Sequence, residues 1–358
     1  MSTTNAKITT NQPNPLTPWS GAYATVHASV VHGRKMKPSS PRQNESNAML
    51  MRSPNNQIKK MASRGDTNAA RATMHPHMSG DTNRRPLDAP AARERYRARV
   101  MDRDPFDHTG HVAVITGGGT GIGRATALLF ARHGADVVLA SRRVENLERV
   151  AAEVAETGRR AHVIATDVRD VDQCERLIDD TLATLGRIDV LVNNAGGSHT
   201  YPFAEWTADR FQNMVDLNLR SAFVLSHRVS SHMTERGSGA IVNISSGAAV
   251  MGMPMHAPYG AAKAGLESLT MSFAAALGSH GVRVNCVRVG AIKSEGFLRA
   301  MATAGIDPDE MGARGAGLGR AGMPDEIAWP ILFLASEASS YISGQTLYVG
   351  GGPRDPNP

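Results

Sequence analysis

The chain has 358 residues, with 39 Lys/Arg against 33 Asp/Glu, and the excess is unevenly placed: residues 1–100 hold sixteen basic and five acidic side chains, residues 101–358 hold 23 and 28. The pI near 9.5 therefore belongs to the first hundred residues, and the mildly acidic body gives no global charge argument for a nucleic-acid or membrane partner. Two cysteines, Cys174 and Cys286, exclude a disulfide framework and stand in no metal-ligand spacing. No apolar run approaches the roughly 18 to 20 residues of a spanning helix, and without a compact apolar segment and small-residue cleavage site near residue 1, secretion is not expected. A reducing, cytoplasmic setting and no metal are expected.

Residues 1–104 read as a disordered basic leader. Only nine of the first hundred positions are Ile, Leu, Val or Phe, too few to offset the entropy of ordering the segment. The scarcity of acids before Glu45 leaves an organelle-targeting role open, and the basic excess leaves loose attachment to polyanions open. A solvated tail without a specific task is the simpler reading. Met101 stands directly ahead of the first strand, where a second translation start is conceivable.

Residues 105–358 read as one α/β catalytic domain. From His111 onward, short β-branched runs alternate with amphipathic stretches. Strands are expected near 111–116, 136–141, 161–166, 188–192, 239–245, 282–288 and 345–349. Helices are expected near 121–133, 144–158, 171–185, 207–235, 257–280 and 324–337. Such alternation predicts a single doubly wound parallel sheet of about seven strands, Rossmann-type, with helices on both faces and ligands at the carboxyl ends of the strands.

The first strand runs into Gly117-Gly118-Gly119-Thr120-Gly121-Ile122-Gly123 before a helix. Glycines at 117, 121 and 123 allow a sharp turn and close approach of a pyrophosphate, which the free N–H groups of the helix start would receive. A glycine-rich turn also occurs with no ligand, but this strand-turn-helix setting favours nucleotide binding through Gly117, Gly119, Thr120, Gly121, Ile122 and Gly123. The second strand ends in Ser141-Arg142-Arg143, with no acid to accept from a ribose 2′-OH and a guanidinium able to pair with a 2′-phosphate. NADP(H) is therefore favoured over NAD(H), the alternative being an exposed charge pair. Asp167 and Val168 close the third strand at the place of an adenine edge, or Asp167 serves as a strand-end cap.

The fifth strand ends at Ser245-Ser246, and thirteen residues on comes Tyr259 in Tyr259-Gly-Ala-Ala-Lys263. On a helix, Tyr259 and Lys263 are an i,i+4 pair projecting from one face. An ammonium about 5 Å from the phenolate at an effective dielectric near 20 gives roughly 3 kcal/mol of attraction, enough to bring a phenol from about 10 to around 7 to 8. Such a phenol can exchange a proton at working pH while Ser246 holds the substrate oxygen. Taken singly, Tyr259 is also readable as a half-buried aromatic, Lys263 as a surface charge and Ser246 as a cap.

The ordered set of Thr116-Gly-Gly-Gly-Thr-Gly-Ile-Gly123, Asn193-Asn-Ala-Gly196, Asn218, Ser246 and Tyr259-Gly-Ala-Ala-Lys263 resembles the short-chain dehydrogenase/reductase family over nearly all of 111–353. The resemblance implies hydride transfer between a nicotinamide cofactor and a carbonyl or secondary alcohol. Tyr259 would be the general acid/base, Ser246 would polarise the carbonyl, and Lys263 would bind the nicotinamide ribose and lower the tyrosine pKa. Asn218 would anchor a proton-relaying water, and Asn194, Ala195 and Gly196 would pass the cofactor's ribose. Gly290, Ile292 and Ser294 would meet the nicotinamide. It also implies a homodimer or homotetramer through the 207–235 and 257–280 helices. A 3-oxoacyl-thioester reductase and a non-catalytic nucleotide sensor are the alternative functions.

Two positions depart from the family pattern. Val289 stands where proline is usual, so the following loop loses a fixed φ. Thr120 stands where many NADP-using relatives carry a basic residue, leaving Arg142 without an evident ally. Substrate selection is expected from Gly197–Phe203, Gly247–Pro258 and Ser294–Met323, the last a glycine-containing mobile lid whose Phe297, Leu298, Met301 and Met311 suit an apolar lining. Met251, Met253 and Met255 fit either an apolar substrate face or core packing, and His199 and His256 fit either substrate contact or solvation.

Overall fold

The computed structural model describes residues 104–353; the expected leader, apart from Asp104, and the start at Met101 lie outside the described residues. Seven strands form one sheet: β1 (Val112–Thr116), β2 (Asp136–Ser141), β3 (Ala161–Ala165), β4 (Val190–Asn193), β5 (Gly239–Ser246), β6 (Val282–Val289) and β7 (Thr346–Val349). Their order is β3-β2-β1-β4-β5-β6-β7, and every adjacent pair is parallel. The chain winds outward from β1 in one direction, then returns and winds outward in the other. The β1/β4 boundary is thus the switch point, where a crevice opens at the carboxyl ends.

Parallel strands covered on both faces must be apolar at every position, which is why they read as continuous β-branched runs. Val112 and Val114 join Val138, Leu191 and Ile241 in one buried cluster, whereas Ala113 and Ile115 join Leu139, Val192 and Val242 in the other; the period of two divides one strand between two cores. The first cluster is closed by helices α3 (Val171–Leu185) and α5 (Ser221–Arg236), the second by α1 (Gly121–Arg132), α2 (Val144–Ala155) and a C-terminal helix, Pro324–Ala335. Each fully buried Leu, Ile or Val contributes about 1.5 to 3 kcal/mol of burial. Among the described residues, no helix is long and apolar enough to cross a membrane.

Three expectations change. The single helix expected over 207–235 is α4 (Ala208–Val215), a π turn at Asp216–Arg220, and α5. Inside the π turn the buried Asn218 side chain donates to Met214 O and Gly197 O and accepts from Gly197 N, so the wider turn accommodates an amide that also bonds outside the helix. The 257–280 helix is α6 (Ala257–Leu277) followed by a 3₁₀ turn. Within the expected lid lie two further helices, α7 (Glu295–Ala304) and α8 (Pro308–Gly315). Ser294 caps α7 by accepting from Phe297 N, Asp307 caps α8, and Gly305 ends α7 with φ +65°. Those caps are sequence-level signals that went unread.

Val289 does not loosen its loop. It extends β6, opposite Ser246 on one side and Val349 on the other, and Gly290 N donates to Val349 O at 3.1 Å. Strand pairing supplies the rigidity that a proline ring would have supplied through φ. The C-terminal helix Pro324–Ala335 is α9.

Candidate active site

The crevice at the switch point has a volume of about 490 Å³ and is lined from the ends of β1 through β6. Of the residues expected to meet a cofactor, Gly117, Gly119, Thr120, Gly121, Ile122, Ser141, Arg142, Asp167, Val168, Asn194, Ala195, Gly196, Tyr259, Lys263, Gly290, Ile292 and Ser294 all line it, as does Ser246. Gly123 and Asn218 stand behind the lining. A Cβ on Gly123 would lie 2.2 Å from Gly117 O, so its role is to let α1 pack on the turn rather than to touch a ligand. Asn146 and Arg299 also line the crevice without a signal in the sequence, Arg299 coming from α7; Arg143, noted beside Arg142 as a possible charge pair, and Phe297, expected as an apolar residue of the lid, line it as well.

Threonine and asparagine hold the switch point closed. Thr116 Oγ1 accepts from Asn194 N and Ala195 N at 3.1 and 3.0 Å, and Asn194 Nδ2 donates back to Thr116 O at 2.8 Å. Deeper, Asn193 Nδ2 donates to Asn243 Oδ1, and Asn243 Nδ2 donates to Thr270 Oγ1 on α6. The polar chain fixes β4 and β5 under the helix that carries Tyr259.

The turn fits a dinucleotide pyrophosphate on three grounds. Thr120 makes no side-chain cap to α1, the first turn of α1 has no acidic residue, and Gly117 and Gly121 have φ of +66° and +52°. The N–H groups of α1 are thereby left for an anion. At the end of β2, Arg142 and Arg143 are exposed, and among the described residues neither forms an ion pair within 4 Å. Arg143 is thus the neighbour that Thr120 does not provide. Asp167, by contrast, is engaged: Arg169 bonds both its oxygens and holds its pKa below the usual carboxylate range.

Ser246, Tyr259 and Lys263 converge at the other end. Ser246 Oγ accepts from Ala248 N at 3.2 Å, leaving its proton to donate. Lys263, 4% exposed, donates from Nζ to Ile244 O at 2.8 Å and lies 5.7 Å from the Tyr259 ring centroid. Gly196 passes beside it; a Cβ there would stand 3.1 Å from Lys263 Nζ and 2.8 Å from Asn218 Oδ1.

The expected phenol near 7 to 8 is not what this arrangement produces. Loss of solvent pushes Tyr259 above its ordinary value, and the Ser246 hydroxyl offsets this only in part. Burial also brings Lys263 down to about 8. Both groups are covered by protein and Nζ is bonded to a carbonyl, so loss of solvent is the largest cause of each shift.

On the substrate side, Ser198 Oγ bonds His256 Nδ1 at 2.8 Å, and burial lowers the His256 pKa. His199 packs near Tyr201, with ring centroids 6.3 Å apart. Met251, Met253 and Met255 are exposed, which removes core packing as their explanation.

Comparison with known proteins gives the family. A family model described as enoyl-(acyl carrier protein) reductase matches residues 117–353, and the chain is 36% identical over 250 residues to the short chain dehydrogenase/reductase astE of Aspergillus oryzae, covering 69% of this chain and 96% of that one. The chain belongs to the short-chain dehydrogenase/reductase family. This dehydrogenase/reductase is also 35% identical over 245 residues to the 3-oxoacyl-(acyl-carrier-protein) reductase FabG of Thermotoga maritima, covering 68% and 97% of the two chains. Among solved structures it is similar to a 7α-hydroxysteroid dehydrogenase complexed with NADH and 7-oxo glycochenodeoxycholic acid, with TM-score 0.66, 34% identity, and 70% and 97% coverage. Oxidoreductase chemistry with a nicotinamide cofactor comes with the family.

Proposed function

We propose that the protein is an NADP(H)-preferring reductase of a carbonyl group, acting in reverse on a secondary alcohol. The observation that carries this reading is the convergence of Ser246, Tyr259 and Lys263 in the same crevice as the glycine turn and two exposed arginines, Arg142 and Arg143. When bound, the nicotinamide supplies the hydride that adds to the carbonyl carbon. Ser246 donates a hydrogen bond to the carbonyl oxygen, and Tyr259 delivers the proton that completes the alcohol. A phenol whose pKa is raised by burial is protonated at neutral pH, which suits it to act as the acid of the reductive direction. Lys263 holds the nicotinamide ribose and, through its positive charge, supports the phenolate left after proton transfer. Asn218, bonded to both backbone groups of Gly197, positions the Gly196–Gly197 segment against Lys263 and would anchor the water that restores the proton.

Arg142 and Arg143 support a 2′-phosphate partner. The exposed Val250, Met251, Met253, Met255 and Phe203 support an apolar substrate. A 3-oxoacyl thioester is the second substrate reading, favoured by the printed activity of the FabG relative. Exposed Phe211 and Phe223 of α4 and α5 and Met271 of α6 support self-association into a homodimer or homotetramer through those helices.

The test is NADPH consumption with a panel of ketones and 3-oxoacyl thioesters. Turnover should fall by about 10² to 10⁴-fold in Tyr259→Phe with NADPH affinity kept, and Arg142→Asp should move the preference toward NADH. Turnover that survives Tyr259→Phe overturns the mechanism; cofactor binding with no turnover on any ketone supports the sensor instead.

A further inference from the structure

Helix α7 begins over the phosphate-binding turn. A Cβ on Gly121, the first residue of α1, would stand 3.0 Å from Ser294 Cβ and 3.2 Å from Glu295 Oε2. Glu295 therefore brings a carboxylate oxygen to the start of a twelve-residue helix that has no acid of its own in its first turn and no side-chain cap. That oxygen is buried and, among the described residues, has no hydrogen-bond partner. A carboxylate is favoured near a helix start by the uncompensated N–H groups, yet one taken from water without a bond is held at a cost. Arg124 of α1 is bonded by Glu153 through two bonds and feels the charge of Glu295 only at longer range, without a hydrogen bond between them. Ser294, Gly296, Phe297 and Arg299 line the crevice while Glu295 lies just behind that lining, and Arg299, one helical turn beyond Glu295, forms no ion pair among the described residues. Glu and Arg at i and i+4 in this order are well placed to pair.

We propose that Glu295 is an affinity-setting residue whose carboxylate competes with the cofactor pyrophosphate for the start of α1, and that the entering phosphates displace it toward Arg299. The inference rests on the dinucleotide reading above. It adds a like-charge contact at the binding turn itself, within the helix that covers it. Two anions cannot share one set of N–H donors at low dielectric without repulsion. Cofactor binding therefore includes the work of moving this side chain.

The test is calorimetric binding to the full chain, with NADP⁺ as the pyrophosphate-bearing probe and adenosine 2′-phosphate as a probe that reaches only the adenosine end. Glu295→Gln removes the charge and keeps the shape; the expected result is NADP⁺ binding tighter by about tenfold, with adenosine 2′-phosphate unchanged. Glu295→Ala should act in the same direction and serves if the glutamine variant does not fold. A merely structural role for Glu295 would move both probes together. NADP⁺ binding that is unchanged or weaker in both variants, with the wild type binding normally, overturns this inference alone. A wild type that binds no dinucleotide overturns it together with the reading on which it rests.

Discussion

At the amino edge of the sheet, buried charge is neutralised. Asp136 bonds Arg159 and Arg160, and Asp189 bonds Arg187, Arg236 and the Val112 N–H. Burial alone would raise both carboxyl pKa values, but these partners hold both below the usual range. At the carboxyl edge Lys263 is as deeply buried and has the Ile244 carbonyl as its bonded partner, so its pKa falls to about 8. The same low dielectric serves two ends: paired charges there hold strands in register, whereas a charge left with a neutral partner keeps its electrostatic influence for whatever enters the crevice.

The contrast breaks most directly at Lys263. Lys263→Met should lower turnover by at least a hundredfold while leaving thermal stability unchanged or raised, since it removes a buried cation and keeps the apolar stem. A folded-state pKa near 8 against 10.5 unfolded means that the unfolded chain binds more protons between those values. Wild-type stability should therefore rise with pH across that window, and the variant should lose the rise. A denaturation series from pH 7 to 10 reads both outcomes.

Asp189→Ala tests the other edge. It removes the partner of the part-exposed Arg187 and Arg236 and leaves the Val112 N–H unbonded, and should cost about 1 to 3 kcal/mol in urea unfolding without changing the KM for cofactor. A loss confined to activity would mean that the two edges do not differ as described.

The smallest effect is expected at His108. It is 2% exposed, its Nδ1 lies 3.2 Å from His111 Nδ1, and burial followed by the charges of His111 and His133 brings its pKa to about 4. Its contribution is complete above pH 6.5 and is lost as pH falls toward 4, amounting to on the order of 2 kcal/mol near pH 5. His108→Leu should flatten the fall in urea midpoint between pH 7 and 5; an undiminished fall assigns the acid sensitivity elsewhere.

Much of the fold was legible because strands buried on both faces must be apolar throughout, and β1, β2 and β6 were found nearly to the residue. The crevice lining was legible through motif order. The π turn was not, because it depends on Asn218 meeting Met214 and Gly197, the latter twenty-one positions away. Nor was the tyrosine pKa: the spacing of Tyr259 and Lys263 gives their separation, but the sign of the shift depends on how much water reaches each of them.

Periodicity by itself determined the alternating α/β layers, since these follow from backbone geometry repeated along the chain, and the ordered motifs, through the family they resemble, named most of the groups that line the crevice. Tertiary structure decided the charge state of those groups and what stands beside them. Desolvation is set by everything packed around an atom, and Glu295 reaches Gly121 across 174 positions of sequence that no local pattern connects.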